Sequence, residues 1–429
     1  MVNKKATLAL LLTLTFALTA CTLQDLPVIG KFLPAVSLPS TGPVTLNMWG
    51  LWEKPEVMDV LIAKYQTAHP NVKINYEDRS VLNPAEYKDR VFGQAGQTID
   101  ADIVMVHDSW IPALKSNLAP MPAKLMSTQD YTSTFYPVAT DTAVADGKVY
   151  GMPYYYDGLV LVYNKDDFTS VGQTDPPTVW EEFRRLALRL TTHSGEDGTD
   201  IVRAGAAIGA ADNIDHFSDI LGLMLAQAGV SFPAELDSKN AQDAVAFYTN
   251  FMKEDKVWDA SLPEASSAFA QGRVSMIIVP SWQVLDIVAA NPGLNIGVAP
   301  VPQALPDKPV TWASYWLPVV PTTSKHSSEA WDFINFLAQE QQQLTLFSEA
   351  SKNRPYGAPY SRVSLASQLQ SNPYLKPLVD TAPYAKTTTA AGRAGNKKEV
   401  DALKAAVDAV LNGADPAVTL TSAKEAITK

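Results

Sequence analysis

Between Val44 and Val106 short apolar runs alternate with stretches of helical period, an order that few folds accept. Val44 to Met48, Val72 to Tyr76 and Ala101 to Val106 read as strands. Between them Val57, Val60, Leu61, Tyr65 and Ala68 recur at helical spacing, and Pro84 to Ala95 forms a second helical stretch. Strands separated by helices pair in parallel, because each crossover returns the chain to the same end of the sheet, and the helices cover both faces. A second unit of this kind follows Tyr150-Gly151-Met152-Pro153: Leu159 to Tyr163 is a strand. Pro176 to Phe183 opens a helix, with Thr178 as N-cap and Glu181 closing a capping box. Two such bodies joined by extended crossings make a two-lobed α/β protein with a cleft between the lobes.

In sheets of this type ligands bind beyond the carboxyl ends of the strands. The first strand runs into Trp49-Gly50-Leu51-Trp52-Glu53, and the third into His107-Asp108-Ser109-Trp110. Val274 to Val279 reads as a buried strand stopped by Pro280, which cannot donate to a ladder, and Trp282 sits just beyond it. The extended stretch Thr311 to Trp316 adds Trp312, Tyr315 and Trp316. Six of the nine tryptophans thus lie at strand ends or in extended stretches, whereas Trp180 and Trp331 read as helix-packing residues. That distribution favours a shared cleft over a shared core.

The beginning of the chain concerns its address. Met1 to Lys5 is basic, and Ala6 to Leu18 is an uncharged, mostly apolar run. It is shorter than the ~20 residues of a spanning helix, so residues 1–20 read as a signal peptide. Leu18-Thr19-Ala20-Cys21 resembles a bacterial lipobox, which implies cleavage before Cys21 and lipid attachment to its thiol; an ordinary signal peptide followed by a chance cysteine is the alternative. Cys21 is the single cysteine, which leaves no internal disulfide, thiol nucleophile or cysteine-based metal site. Residues 21–43, with Pro27, Pro34, Pro39 and Pro43, read as an extended tether. Removing Met1 to Ala20 takes away Lys4 and Lys5 and no acid, which moves the net charge from −11 to −13. That balance argues against nucleic acid and anionic membrane surfaces as partners.

Enzyme signatures are missing from the sequence. There is no phosphate loop, no His-Glu-x-x-His and no Gly-x-Ser-x-Gly. The five histidines show no metal-ligand spacing, so neither a metal nor a cofactor is expected. Asp108 and Asp157 as a pair would suit glycoside hydrolysis, which keeps a glycan-active enzyme as one alternative. Aromatic rings combined with acids suit binding of a neutral polyol: rings cover the apolar face of a sugar while carboxylates accept its hydroxyl hydrogens.

Several segments together resemble the family 1 extracellular solute-binding proteins of ABC importers, the group that contains maltose-binding protein. They are A-D-I-V-M-V-H-D-S-W (101–110), Y-G-M-P-Y-Y-Y-D-G-L-V-L-V-Y-N-K-D-D-F (150–168), P-P-T-V-W-E-E-F (176–183), F-A-Q-G-R-V-S-M-I-I-V-P-S-W (269–282) and S-S-E-A-W-D-F-I-N-F-L-A-Q-E-Q-Q-Q (327–343), with V-D-A-V-L-N-G-A-D-P-A-V-T-L (407–420) near the end. The resemblance implies a type II periplasmic-binding-protein-like fold that closes on its ligand. It sets lobe 1 at 44–153 and 304–357 and lobe 2 at 154–303 and 358–429, with hinges near Tyr154 to Gly158 and Pro302 to Pro309. It places Asp108 and Asp157 among ligand-contacting acids, Trp282 on an aromatic that stacks on a sugar ring, and Trp49, Trp52 and Glu53 in a ligand-contacting loop.

Structural roles stand beside these. Asp108 suits a helix cap, Asp157 a surface loop and Glu53 a first-turn acid favoured by the helix dipole. Trp110 and Tyr154 join the candidate site by position, and one of Tyr154 and Tyr156 is expected to pack into the hinge. Trp312, Tyr315 and Trp316 stand between cleft and core, because the family carries small residues there. Arg354 is expected in a surface salt bridge. The function expected is a monomeric lipoprotein, anchored outside the cytoplasm, that captures a sugar or oligosaccharide and delivers it to an ABC permease. A peptide, polyamine or phosphorylated cargo remains open beside the sugar, and so does a role as a surface adhesin.

Overall fold

The strand Val44–Gly50 lies inside a four-stranded sheet because its neighbours on both sides come from the same αβ alternation. The computed structural model describes residues 42–93, 99–195, 200–352 and 354–429, without the side chain of Arg393. The expectations for the signal peptide, Cys21 and all but the end of the tether fall outside these residues.

Val44–Gly50 pairs in parallel with Val72–Asp78 on one side and with Ile103–His107 on the other. The helices Pro55–Ala68 and Pro84–Gly93 are the crossovers. Pro55 opens the first of them, at a position where a missing N–H costs nothing. Its buried face is Met58, Leu61, Ile62 and Tyr65, while Val57 and Val60 are half-buried and Ala68 is exposed. The stripe is therefore rotated from the expected one. Tyr65 sets it, donating to Asp332 Oδ2 at 2.8 Å and packing on Phe333 and Phe336 of the helix Ser327–Leu337.

The fourth strand departs from the all-parallel expectation. Trp316–Val319 pairs antiparallel with Ile103–His107, opposing Trp316 to His107 and Val319 to Val104. It forms the edge of the sheet, the place where Pro318 is tolerated.

The second sheet has three strands in the order Ile296–Ala299, Leu159–Asn164, Met276–Pro280, and both pairings are antiparallel. All six residues of the central strand are buried. Trp180–Leu190, Phe217–Gln227 and Lys239–Lys253 belong to this half, and the paired helices Lys397–Leu411 and Pro416–Thr428 pack against the last of them. Trp180 and Trp331 are buried helix-packing residues. The capping box is shifted by one residue: Thr178 N–H and Oγ1 both donate to Glu182 Oε2, and the helix begins at Trp180.

The chain passes between the two halves through residues 150–158, returns between 300 and 315, and crosses again before the helix Lys376–Thr381, which packs on the second sheet. Gln227 Nε2 donates to the carbonyls of Pro302 and Val310, each at 3.0 Å, so residues 302–310 hang on the second half. Ser361 and Arg362 bond Gln343, Pro153 and Ala338 and stay with the first. The hydrogen bonds thus change sides several residues after the expected lobe ends at 303 and 357.

Candidate ligand cleft

Where the strands of both halves end, a cavity of about 1040 Å³ opens, lined by residues from each half and from the crossings. The first half contributes the turn after Val44–Gly50. Gly50 leaves room there for the Tyr76 ring, which a Cβ would meet at 2.1 Å and push aside. That ring holds the turn from the other side, its hydroxyl donating to the carbonyl of Glu53 at 2.7 Å. Trp52 adopts a left-handed backbone, φ 67°, which a bulky residue enters only under constraint. The constraint is a 2.6 Å hydrogen bond from its N–H to Ser80 Oγ, and Ser80 is itself held by Asp78. The outcome is an indole 43% exposed at the cleft, edge-on to Trp316 with ring centroids 6.0 Å apart.

Glu53 is buried against the cleft, and Arg354 Nη2 donates to its Oε1 at 2.9 Å. Burial raises the Glu53 carboxyl above its ordinary range, and the guanidinium pulls it partly back. Arg354 Nε also donates to the carbonyl of Tyr356, which fixes the fork in place.

The second half contributes the helix Ser281–Ala290, whose first turn follows directly on the strand ending at Pro280. Trp282 lies in that first turn, half-buried and lining the cavity. Asp157 Oδ1 accepts the N–H groups of Gly158 at 2.6 Å and Ser281 at 3.0 Å, so this carboxylate caps the helix from the crossing segment. Burial pushes Asp157 up to about 7, opposed by those backbone hydrogen bonds.

Beside Trp282 lies His216, edge-on at 6.0 Å. Its Nε2 is 2.7 Å from Gln283 Oε1 and its Nδ1 is 3.3 Å from Asp219 Oδ2. Trp316, 8% exposed, closes the floor on the first side, with Trp110, His107 and Tyr87 packed around it at 5.0–6.0 Å. Among the described residues no group of three histidines, cysteines, aspartates or glutamates has the arrangement of a metal site. The chemistry on offer is therefore aromatic faces surrounded by carboxylates, hydroxyls and the half-buried Arg354 paired with a buried Glu53.

The family model for the bacterial extracellular solute-binding protein matches residues 52–344, more than half of the chain. The chain belongs to that family. A probable ABC transporter-binding protein of Deinococcus radiodurans is 23% identical over 73% of this chain and 75% of its own length. Among solved structures, the sugar-binding protein MalE of Xanthomonas citri superposes with a TM-score of 0.72 at 19% identity, covering 89% of this chain and 96% of that one. The cyclic alpha-maltosyl-1,6-maltose binding protein of Arthrobacter globiformis gives 0.71 at 20% identity, covering 90% and 98%. The fold is accordingly the two-lobed α/β fold of periplasmic sugar-binding proteins.

In this solute-binding protein the cleft gathers Trp52, Glu53, Asp157, Trp282 and Tyr315 of the expected contacts, and Trp316, which stood between cleft and core, joins them. Five others do not line it, each being turned away from the cavity into packing or onto another segment. Trp49 lies under the Arg79 guanidinium, 4.6 Å from the ring centroid. Asp108 is fully buried, its Oδ1 accepting the N–H of Ser109 at 2.9 Å, so it serves the 3-10 turn Asp108–Trp110. Tyr154 is buried with its hydroxyl on Met105 Sδ. Trp110 donates its indole N–H to the carbonyl of Ala394 at 2.8 Å, and Trp312 donates to Asp219 Oδ1 at 2.9 Å. Arg354 is not in a surface pair, since its partner is Glu53 within the cleft. His216, Tyr356 and Asn396 line the cleft without having been singled out, because each stands in a segment with no local pattern. Asn396 offered one signal, an Asn just before a helical run, the usual mark of an N-cap; its side chain caps nothing.

Proposed function

We propose that this extracellular solute-binding protein captures an oligosaccharide in the cleft and delivers it to the membrane subunits of an ABC permease. The observation that carries the reading is the pairing of aromatic faces from opposite halves, Trp52 and Trp316 against Trp282, around one cavity. A sugar ring presents an apolar face that an indole covers and a rim of hydroxyls that Asp157, Glu53 and Arg354 meet. At about 1040 Å³ the cavity stands at the upper end of the roughly 300–1,000 Å³ of small-molecule sites, room for more than one sugar ring. The sugar-binding structures of the same fold support the reading. Asp157 and Trp282 are the proposed ligand contacts of the second half, and Trp52, Glu53 and Tyr315 those of the first. We place the hinges in the crossing at 154–158 and, because Gln227 holds residues 302–310 to the second half, just beyond Val310 rather than at 302–309. The first twenty residues are read as an export signal and Cys21 as the site of lipid attachment, so that the monomeric body works tethered outside the cytoplasm.

Titration calorimetry and thermal melting against maltose, maltotriose, mannobiose and cyclic maltosyl-maltose test the proposal. At least one of them should bind, raise the melting temperature and be recovered unchanged by mass spectrometry. Heat from peptides or polyamines, with none from any sugar, would overturn the sugar reading. Release of new reducing ends would replace the binding protein with a hydrolase.

A further inference from the structure

The segment Ala391–Asn396 lies along the cleft and is held from both sides. On the first-half side, Trp110 Nε1 donates to the carbonyl of Ala394 at 2.8 Å, and Asn396 Nδ2 donates to Ser109 Oγ at 3.1 Å. Lys88 Nζ, on the helix Pro84–Gly93, donates to Asn396 Oδ1 at 2.6 Å while lying over the rings of Phe92 and Trp110. Gly395, with φ 65°, lets the backbone lie against that helix's start: a Cβ there would stand 2.6 Å from the Pro84 carbonyl oxygen. On the second-half side the N–H of Gly392 donates to Asp219 Oδ2 at 3.1 Å, and a Cβ on Gly392 would stand 2.7 Å from Ser218 Oγ. The segment then runs into the helix Lys397–Leu411, which packs on Phe217–Gln227 and Lys239–Lys253.

No covalent continuity joins residues 84–110 to residues 391–396 locally, so these contacts are ones that separation of the halves has to break. Asn396 is fully buried and spends its whole amide here, with a second N–H on the carbonyl of Ala391 at 3.3 Å. Asp219, the anchor on the far side, also receives the indole N–H of Trp312 in a crossing and faces His216 in the cleft. One carboxylate thus touches this segment, a crossing and, in His216, a residue that lines the cavity.

We propose that Ala391–Asn396 is a latch across the cleft and that Asn396 is the positioning residue that keeps it shut. The latch acts on opening rather than on ligand chemistry, so it goes beyond the sugar reading and does not depend on it. Losing one charge-assisted hydrogen bond of this kind shifts the closed-to-open ratio about tenfold.

The test uses the ligand-free full chain. Solution scattering and hydrogen exchange are compared for wild type, Lys88→Met, Asn396→Ala and Asn396→Asp. Lys88→Met keeps an unbranched apolar stem and removes only the ammonium, with its hydrogen bond to Asn396 and its place over Phe92 and Trp110, at a half-buried position, so it remains readable if Asn396→Ala fails to fold. Asn396→Asp keeps the acceptor for Lys88 and loses both donations, and it should fall between wild type and Asn396→Ala. Lys88→Met and Asn396→Ala should enlarge the radius of gyration and speed hydrogen exchange of the Trp110 indole N–H, which the Ala394 carbonyl accepts across the latch, about tenfold. A merely structural role would lower the melting temperature and leave the radius unchanged. Unchanged radius and exchange in Lys88→Met, or a wild type already as expanded as the variants, would overturn the latch. These readouts need no ligand, so a protein that binds no sugar leaves this result standing.

Discussion

Asp157 Oδ1 accepts the backbone N–H of Ser281, 3.0 Å away and 124 residues further along the chain. The contact joins the first crossing between the halves to the helix that presents Trp282. A carboxylate at a helix N-terminus satisfies a donor that has no partner within the helix and sits well in the helix dipole. Burial works against its charge, and that conflict is measurable.

Asp157 carries a folded-state value of about 7 against an ordinary 3.8. Between those values the folded protein holds a proton that the unfolded chain has lost. The stability from this group is therefore complete below about pH 4 and is lost as the pH rises through 7, by at most about 4 kcal/mol. Asp157→Asn removes this slope, so urea unfolding at pH 4.5 and 7.5 should show the variant gaining on wild type as the pH rises. A difference between the two proteins that does not change with pH would refute the assignment.

Trp282→Ala should weaken sugar binding about 5- to 150-fold, since uncovering roughly 50–100 Å² of apolar surface costs roughly 1–3 kcal/mol. The half-buried ring leaves no sealed cavity, so the melting temperature should move little. A collapsed melting temperature with affinity intact would make Trp282 a packing residue.

Arg354→Met leaves Glu53 buried without its cation. The loss should reach about 1–3 kcal/mol at pH 7.5, below the cost of breaking a fully buried pair because Arg354 is 30% exposed. Without the guanidinium the Glu53 carboxyl rises further, so the folded variant takes up its proton earlier as the pH falls. The deficit should therefore shrink at pH 4.5. Thermal melts at both values check it, and an equal loss at each would show that the pair carries no charge coupling.

Cys21→Ser should move the protein from the membrane fraction to the soluble fraction. Retention on membranes in that variant would remove the lipid anchor from the proposal.

The αβ alternation was legible because period 2 and period 3.6 differ within a few residues, and the parallel pairing of Val44–Gly50 with its two neighbours followed from it. The antiparallel fourth strand was not legible, since Trp316–Val319 reads as an extended run whose partner is settled only by packing far along the chain. The cleft was legible in part for a related reason. Trp52 and Trp49 stand in one short stretch, yet a turn held by Ser80 sends one indole to the cavity and leaves the other under Arg79. Strand-end position predicted the neighbourhood of each aromatic, and the direction of its side chain came from contacts with distant residues. Trp110 and Trp312 show this most clearly: each spends its N–H on a group from another segment, Ala394 or Asp219, and so supports the cleft without facing it.

The edge position of Trp316–Val319 also sets an order in time. A chain made from its N-terminus has completed the second sheet at Ala299, while the first still waits for its fourth strand. At roughly 5–20 residues per second, the interval between His107 and Trp316 lasts roughly 10–40 s. Throughout it Ile103–His107, a strand buried at every residue in the finished protein, has an open edge, the condition under which unpaired strands find wrong partners. The sheet begun first is finished last, and a truncation anywhere before Val319 leaves it without its final strand even when every residue of the second sheet is present.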